Sequence, residues 1–170
     1  MSDAINWKEL GKQTQEAGEE ARRRAAAEAE RERERIRLEK LRDTINAAAA
    51  TVMDAIRTQC AKIAEQFNSG IREAGLKMVL SDEVHMGIGL TSFVVRKDAG
   101  FPQMKINLQD MGKILISLSE TRASGASGQI HRYKVDEQGQ ISGPDGTPNF
   151  TVDEIATGIC KGLLEAKYLS

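Results

Sequence analysis

Residues able to do chemistry are few in this chain, and they do not gather. There are two histidines, His85 and His131, and two cysteines, Cys60 and Cys160. His85 follows Asp82 and Glu83, a grouping that could hold a metal or move a proton. A histidine-based site needs a second histidine or a cysteine at helical or turn spacing, and none is there. His131 alternates with Tyr133 and Val135, which places it in a core or at a sheet edge. Gly87-Ile88-Gly89 is half of a dinucleotide fingerprint, without the third glycine or the helix that should follow. No serine sits in a nucleophile-elbow pattern. The expectation is a protein that is not an enzyme, with no metal and no cofactor.

The two cysteines are too few for a disulfide framework. Each falls on an apolar helical stripe, where a free thiol packs as a small hydrophobe. Arg22-Arg23-Arg24 resembles a nucleic-acid patch, but the acids around it cancel most of its field. With 24 Lys and Arg against 25 Asp and Glu, the chain as a whole is nearly neutral, which gives no general attraction to nucleic acid or anionic lipid. The opening MSDAINWKELGK lacks the layout of a signal peptide, and no run approaches the roughly 20 apolar residues that span a bilayer. A cytoplasmic location without membrane contact is expected.

What positions these residues is dominated by one feature. From about Glu19 to Ala74 the sequence is helix-forming, with no proline and a single glycine, Gly70. Over Glu19–Lys40 it is rich in Ala, Glu and Arg. Glu19–Arg22, Glu20–Arg24, Glu28–Arg31, Glu30–Arg33, Glu32–Arg35 and Glu34–Arg37 stand at i,i+3 or i,i+4 with the acid first. Each such pair adds about 0.2–0.5 kcal/mol. Ahead of it, residues 1–18 carry Gly11 and Gly18 and are expected to be a mobile tail. Asn6 and Glu9 there fit a capping box. Ile5, Trp7 and Leu10 make that tail a candidate partner anchor.

An apolar seam at heptad-like spacing starts at Leu38 and continues through Leu41, Ile45, Ala48 and Val52. A second seam runs from Met53 through Ile56, Cys60, Ile63 and Phe67, one residue out of frame. The shift predicts a change of partner: Leu38, Leu41, Ile45 and Val52 would meet another helix in an oligomer, a dimer being favoured, and residues from 53 onward would meet the chain's own head. Asp43-Thr44 could cap a separate helix, but continuity is the expectation. Gly75 is the expected stop.

Beyond it the period falls toward 2. Segments 76–81, 84–95, 104–108, 113–119, 129–135 and 140–142 read as an antiparallel meander of about five strands, with a bulge or break near Thr91-Ser92. Thr151 and Glu154 then form a capping box for a last helix with the stripe Val152, Ile155, Ile159, Cys160, Leu163 and Leu164. The fold class is α+β: a long, partly coiled-coil N-terminal helix, an antiparallel sheet, and a C-terminal helix packed on one sheet face. The domains read as a tail over 1–18, a charged arm over 19–52 and a head over 53–170.

Under this register Lys77, Arg96, Lys105, Lys113, Arg132 and Lys134 point away from the core, with the acids, Asp82 and Glu83 among them, mostly in turns. Lys105, Lys113, Arg132 and Lys134 are therefore candidate partner contacts, as is the glycine- and serine-rich segment Glu120–Gly128. The functional expectation is a non-catalytic scaffold or adaptor that oligomerises through the arm and binds another protein through the tail or the sheet face. The alternatives are nucleic-acid binding through the basic face, less favoured because no outward aromatic offers stacking, and a small-molecule carrier with a cavity between sheet and last helix.

Overall fold

A computed structural model of the chain describes residues 4–84, 91–119 and 130–165. Eight regular elements follow in order: α1 (Trp7–Ser69), β1 (Met78–Val84), β2 (Thr91–Lys97), β3 (Gln103–Gln109), β4 (Lys113–Ser119), β5 (Ile130–Val135), β6 (Ile141–Ser142) and α2 (Val152–Glu165). The class is mixed α+β, and the strands form one antiparallel sheet in sequence order, β1-β2-β3-β4-β5-β6. No described helix is long and apolar enough to cross a membrane. The chain divides into two compact units, Met1–Leu41 and Arg42–Ser170.

In the first unit the helix begins at Trp7 rather than near Glu19, so residues 7–18 are helical where a mobile tail was expected. The cause is local. The Asn6 side-chain oxygen accepts the Glu9 amide at 3.2 Å, and Ile5 and Leu10 occupy the two positions of a hydrophobic staple around that cap. Gly11 and Gly18 weaken the run without ending it. Downstream, the expected pairs Glu20–Arg24, Glu32–Arg35 (2.7 Å) and Glu34–Arg37 (3.6 Å) form, and Arg35 also reaches Glu39 at 3.3 Å.

In the second unit the helix supplies a stripe rather than a seam. Ile45, Ala49, Val52, Met53, Ile56, Cys60 and Ala64 are all buried. This corrects the expected boundary at residue 53. Ile45 and Val52, assigned to an oligomer contact by their spacing, belong instead to the chain's own core. The apparent frame shift at Val52-Met53 is two neighbouring rows of one broad apolar face, wide enough to hold both. Coiled-coil character is not shown. The helix ends at Ser69, ahead of the expected stop at Gly75, and the Asn68 side-chain amide reaches from its last turn to β1. That amide bonds both backbone groups of Met78 at 2.8 Å, as a neighbouring strand would.

The sheet has six strands where about five were expected. What read as one irregular strand across 84–95 takes in the last residue of β1 and most of β2, which meet at the pair Val84↔Thr91. The parity slip near Thr91-Ser92 is thus a strand break. One sheet face carries Met78, Phe93, Val95, Met104, Ile106, Leu108, Ile114, Ile116 and Val135, and it packs against the buried stripe of α1 and against Ile155, Ala156, Ile159, Cys160 and Leu163 of α2. α2 starts as expected. Thr151 Oγ1 accepts the Glu154 amide at 3.1 Å and Glu154 accepts the Thr151 amide at 2.8 Å.

Two polar devices tie α1 to the sheet. Arg57 Nε donates to Asp82 at 2.7 Å, so Asp82 is a strand residue facing the helix and not a turn acid. The β3–β4 turn is held more tightly. Asp110 Oδ1 accepts from Arg42 Nε and from Asn46 Nδ2, each at 2.9 Å, while Asn46 Oδ1 accepts the Met111 amide at 3.0 Å. Met111 and Gly112 both have positive φ there, 59° and 69°. A Cβ on Gly112 would run into the Val135 carbonyl oxygen and stand 2.9 Å from Ile45 Cγ2.

Candidate functional site

The sheet's outer face is where a solvated surface could do something specific. Its residues alternate with the core set, and the pairings Lys105↔Ser117, Lys113↔Lys134 and Leu115↔Arg132 put the expected bases on it. The face is not uniformly basic. Over β1–β3 it is neutralised: Lys105 Nζ lies 2.6 Å from Glu83 Oε2, so Glu83 is a strand residue opposing the bases and not a turn acid. Arg96 Nη1 donates to the Lys97 and Asp98 carbonyls at 3.2 and 3.3 Å, and Lys77 precedes β1. Lys105 therefore drops out of the candidate set.

What remains is a cluster at one end. Lys113, Arg132 and Lys134 are all exposed. Among the described residues none makes an ion pair with them. Lys113 and Lys134 stand directly opposite across the strands, an arrangement that is unfavourable on its own. The cluster lines a groove of about 570 Å³ with Gln109, Ser142 and Pro144. The groove exists because β6 is only two residues long. Its last pair is Lys134↔Ser142, and the next step of the register would set Pro144 opposite Arg132. Proline has no N–H to donate, so the ladder stops there and the chain turns away through Gly143–Gly146.

On the core side, a smaller cavity of about 180 Å³ lies between β3–β5 and α2, lined by Met104, Ile116, Leu118, Tyr133, Ile159 and Gly162 among others. It is below the roughly 300–1,000 Å³ usual for ligand pockets. His131, exposed, and Glu165 also line it. Tyr133 stacks edge-on against Phe150 with ring centroids 5.3 Å apart, and burial, then the nearby Glu154 carboxylate, pushes its hydroxyl pKa up. The described residues contain no group of three or more His, Cys, Asp or Glu able to hold a metal.

Cys60 and Cys160 lie in the core and are free thiols. The neighbouring Cys160 thiol, then burial, pushes the Cys60 thiol pKa up, far from a reactive thiolate. Their meeting across 100 positions has no sequence signal beyond two apolar stripes.

The apolar candidates separate cleanly. Ile5, Trp7 and Leu10 are exposed at 61%, 72% and 49%, and Leu38 at 53%, so each is open to a partner. Leu41 is half-buried, while Ile45 and Val52 are closed off by the head. His85, Gly87, Gly89 and the segment Glu120–Gly128 lie outside the described residues. Lys97, which the sequence does not single out, is buried at 7% exposure. No family model, no curated protein and no solved structure matches this chain.

Proposed function

We propose that this is a non-catalytic adaptor or scaffold protein of the cytoplasm, which assembles through its N-terminal helix and presents the α+β head to a second protein. One observation carries the reading. Among the described residues, every large apolar side chain that is markedly exposed (Ile5, Trp7, Leu10, Ile36 and Leu38) belongs to the unit Met1–Leu41, and none to the head. A helix that covers none of its apolar residues is marginal alone in water, since its ion pairs contribute only about 0.2–0.5 kcal/mol each. A second copy or a partner helix supplies the missing cover, and a dimer is the simplest such assembly.

Sedimentation velocity over a range of micromolar concentrations tests this. The chain is expected to sediment as a dimer or larger species and Leu38→Asp to shift it toward monomer; a monomeric wild-type chain that also retains no partner helix would refute the reading. Nucleic-acid binding is the second reading, favoured by Lys113, Arg132 and Lys134, which have no ion pair among the described residues. It requires affinity that falls steeply with salt.

A further inference from the structure

We propose that the groove beside β5 takes up an extended acidic segment of a partner protein as a short added strand. The proposal rests on the adaptor reading and names what the head would bind. Three features lead to it, and they are independent.

The first is charge. Lys113, Arg132 and Lys134 sit on one sheet face with no ion pair to any described residue, and two of them are forced into direct opposition. Like charges held this way are relieved by a bound anion.

The second is an open backbone edge. The Lys134 carbonyl accepts from Ser142 Oγ at 3.3 Å and the Asp136 amide donates to the Gln140 carbonyl at 3.0 Å, so this parity of β5 turns its backbone toward β6. Arg132 shares that parity, two residues earlier. The ladder ends before reaching it, at Lys134↔Ser142. Among the described residues, no strand pairs with Arg132 on that side, because the chain turns away at Gly143–Gly146. An incoming chain can supply the missing pairing, the mode by which extended peptides extend a sheet edge.

The third is spacing. Side chains two apart on a strand recur about every 6.6–6.8 Å on one face. An added strand that continues from the end of β6 sets an acid opposite Arg132, and Lys134, already paired with Ser142, lies one such interval further along the same face. A nucleic acid would match the charge but not the edge. The described outer-face residues also include no aromatic on which a base could stack.

Fluorescence anisotropy with four labelled probes tests the proposal on the full chain. The probes are a peptide with glutamate at alternate positions, the same peptide N-methylated on the backbone of its central glutamates, its lysine counterpart, and a single-stranded DNA oligonucleotide of equal charge. The acidic peptide is expected to bind, and Arg132→Glu with Lys134→Glu to weaken it at least about tenfold. Lys62→Glu with Arg72→Glu, an equal change of charge on exposed residues elsewhere, is expected to leave it within about twofold. N-methylation is expected to cost at least about tenfold, because in an antiparallel added strand the glutamate amides are the donors that face Arg132.

Circular dichroism confirms that each variant is folded, and Arg132→Gln with Lys134→Gln replaces the charge reversal if it is not. No binding of the acidic peptide, equal losses in the two double variants, or indifference to N-methylation would overturn the proposal. Tighter binding of the oligonucleotide than of the peptide would overturn it as well, and would give the groove to nucleic acid. Leu38→Asp is expected to bind the peptide as the wild type does. An assembled wild-type chain that ignores the peptide would sink the groove alone, whereas a monomeric chain that binds it would sink the assembly reading alone.

Discussion

Replacing Gly112 with alanine probes the tightest point of the head. Gly112 has φ of +69° and sits where the β3–β4 turn passes under α1. Holding an alanine in that region costs about 1–2 kcal/mol. The added methyl also meets the Val135 carbonyl oxygen, a backbone atom that cannot swing away, and comes within 2.9 Å of Ile45 Cγ2. Overpacking of that kind costs about 1–3 kcal/mol. Lower entropy of the unfolded chain offsets about 0.4–1 kcal/mol. The net loss is about 2–4 kcal/mol, a large part of the roughly 5–15 kcal/mol that holds a domain together.

Gly146 supplies the comparison. Its φ is +72°, but a Cβ there meets nothing within 4 Å. Gly146→Ala therefore isolates the backbone cost, about 1 kcal/mol or less after the same entropy offset. Urea unfolding followed by circular dichroism separates the two. With a slope of about 2 kcal/mol per molar, Gly112→Ala is expected to lower the midpoint by about 1–2 M and Gly146→Ala by less than about 0.5 M. Equal shifts would refute the close approach of helix, turn and β5 on which the head's packing rests.

Two further outcomes follow from the polar and thiol contacts. The Asn46 and Arg42 hydrogen bonds hold the Asp110 carboxyl below its usual pKa, so its contribution is complete above the unfolded value of about 3.9 and fades as pH falls through the lower folded value. Asp110→Asn is expected to flatten the acid limb of a stability–pH curve, modestly because the side chain is 46% exposed; an unchanged limb would show that the clamp carries no pH dependence. Cys60 and Cys160, both buried, are expected to react with a thiol-specific reagent at the rate of global unfolding and not faster; fast labelling in native buffer would contradict their closed packing.

What could be read in the sequence was local. The Thr151–Glu154 box and the Asp136–Gly139 hairpin are encoded within four or five residues, and the structure forms both. Strand parity likewise placed Lys113, Arg132 and Lys134 on one face. The misread features depend on what lies across from a residue. Helical spacing marked Ile45 and Val52 as apolar positions, but not whether a partner helix or the chain's own sheet covers them. Asp82 and Glu83 looked like turn acids because β1 extends past Ser81, and their partners Arg57 and Lys105 lie more than twenty positions away. Asp110 with Arg42 and Asn46 joins residues over sixty positions apart. The groove at Arg132 needs the β5–β6 register before Pro144 acquires any meaning.

The division of the long helix at residue 42 is what the functional account stands on, and a pair of substitutions tests it. Leu38→Asp and Ile45→Asp place the same charge on two apolar positions of α1, one exposed at 53% and one buried at 8%. Sedimentation and urea unfolding of each chain are expected to part them: Leu38→Asp reduces the assembled mass and leaves the head's midpoint in place, and Ile45→Asp collapses the midpoint. A Leu38→Asp chain that unfolds as readily as Ile45→Asp, or that assembles like the wild type, would contradict the account.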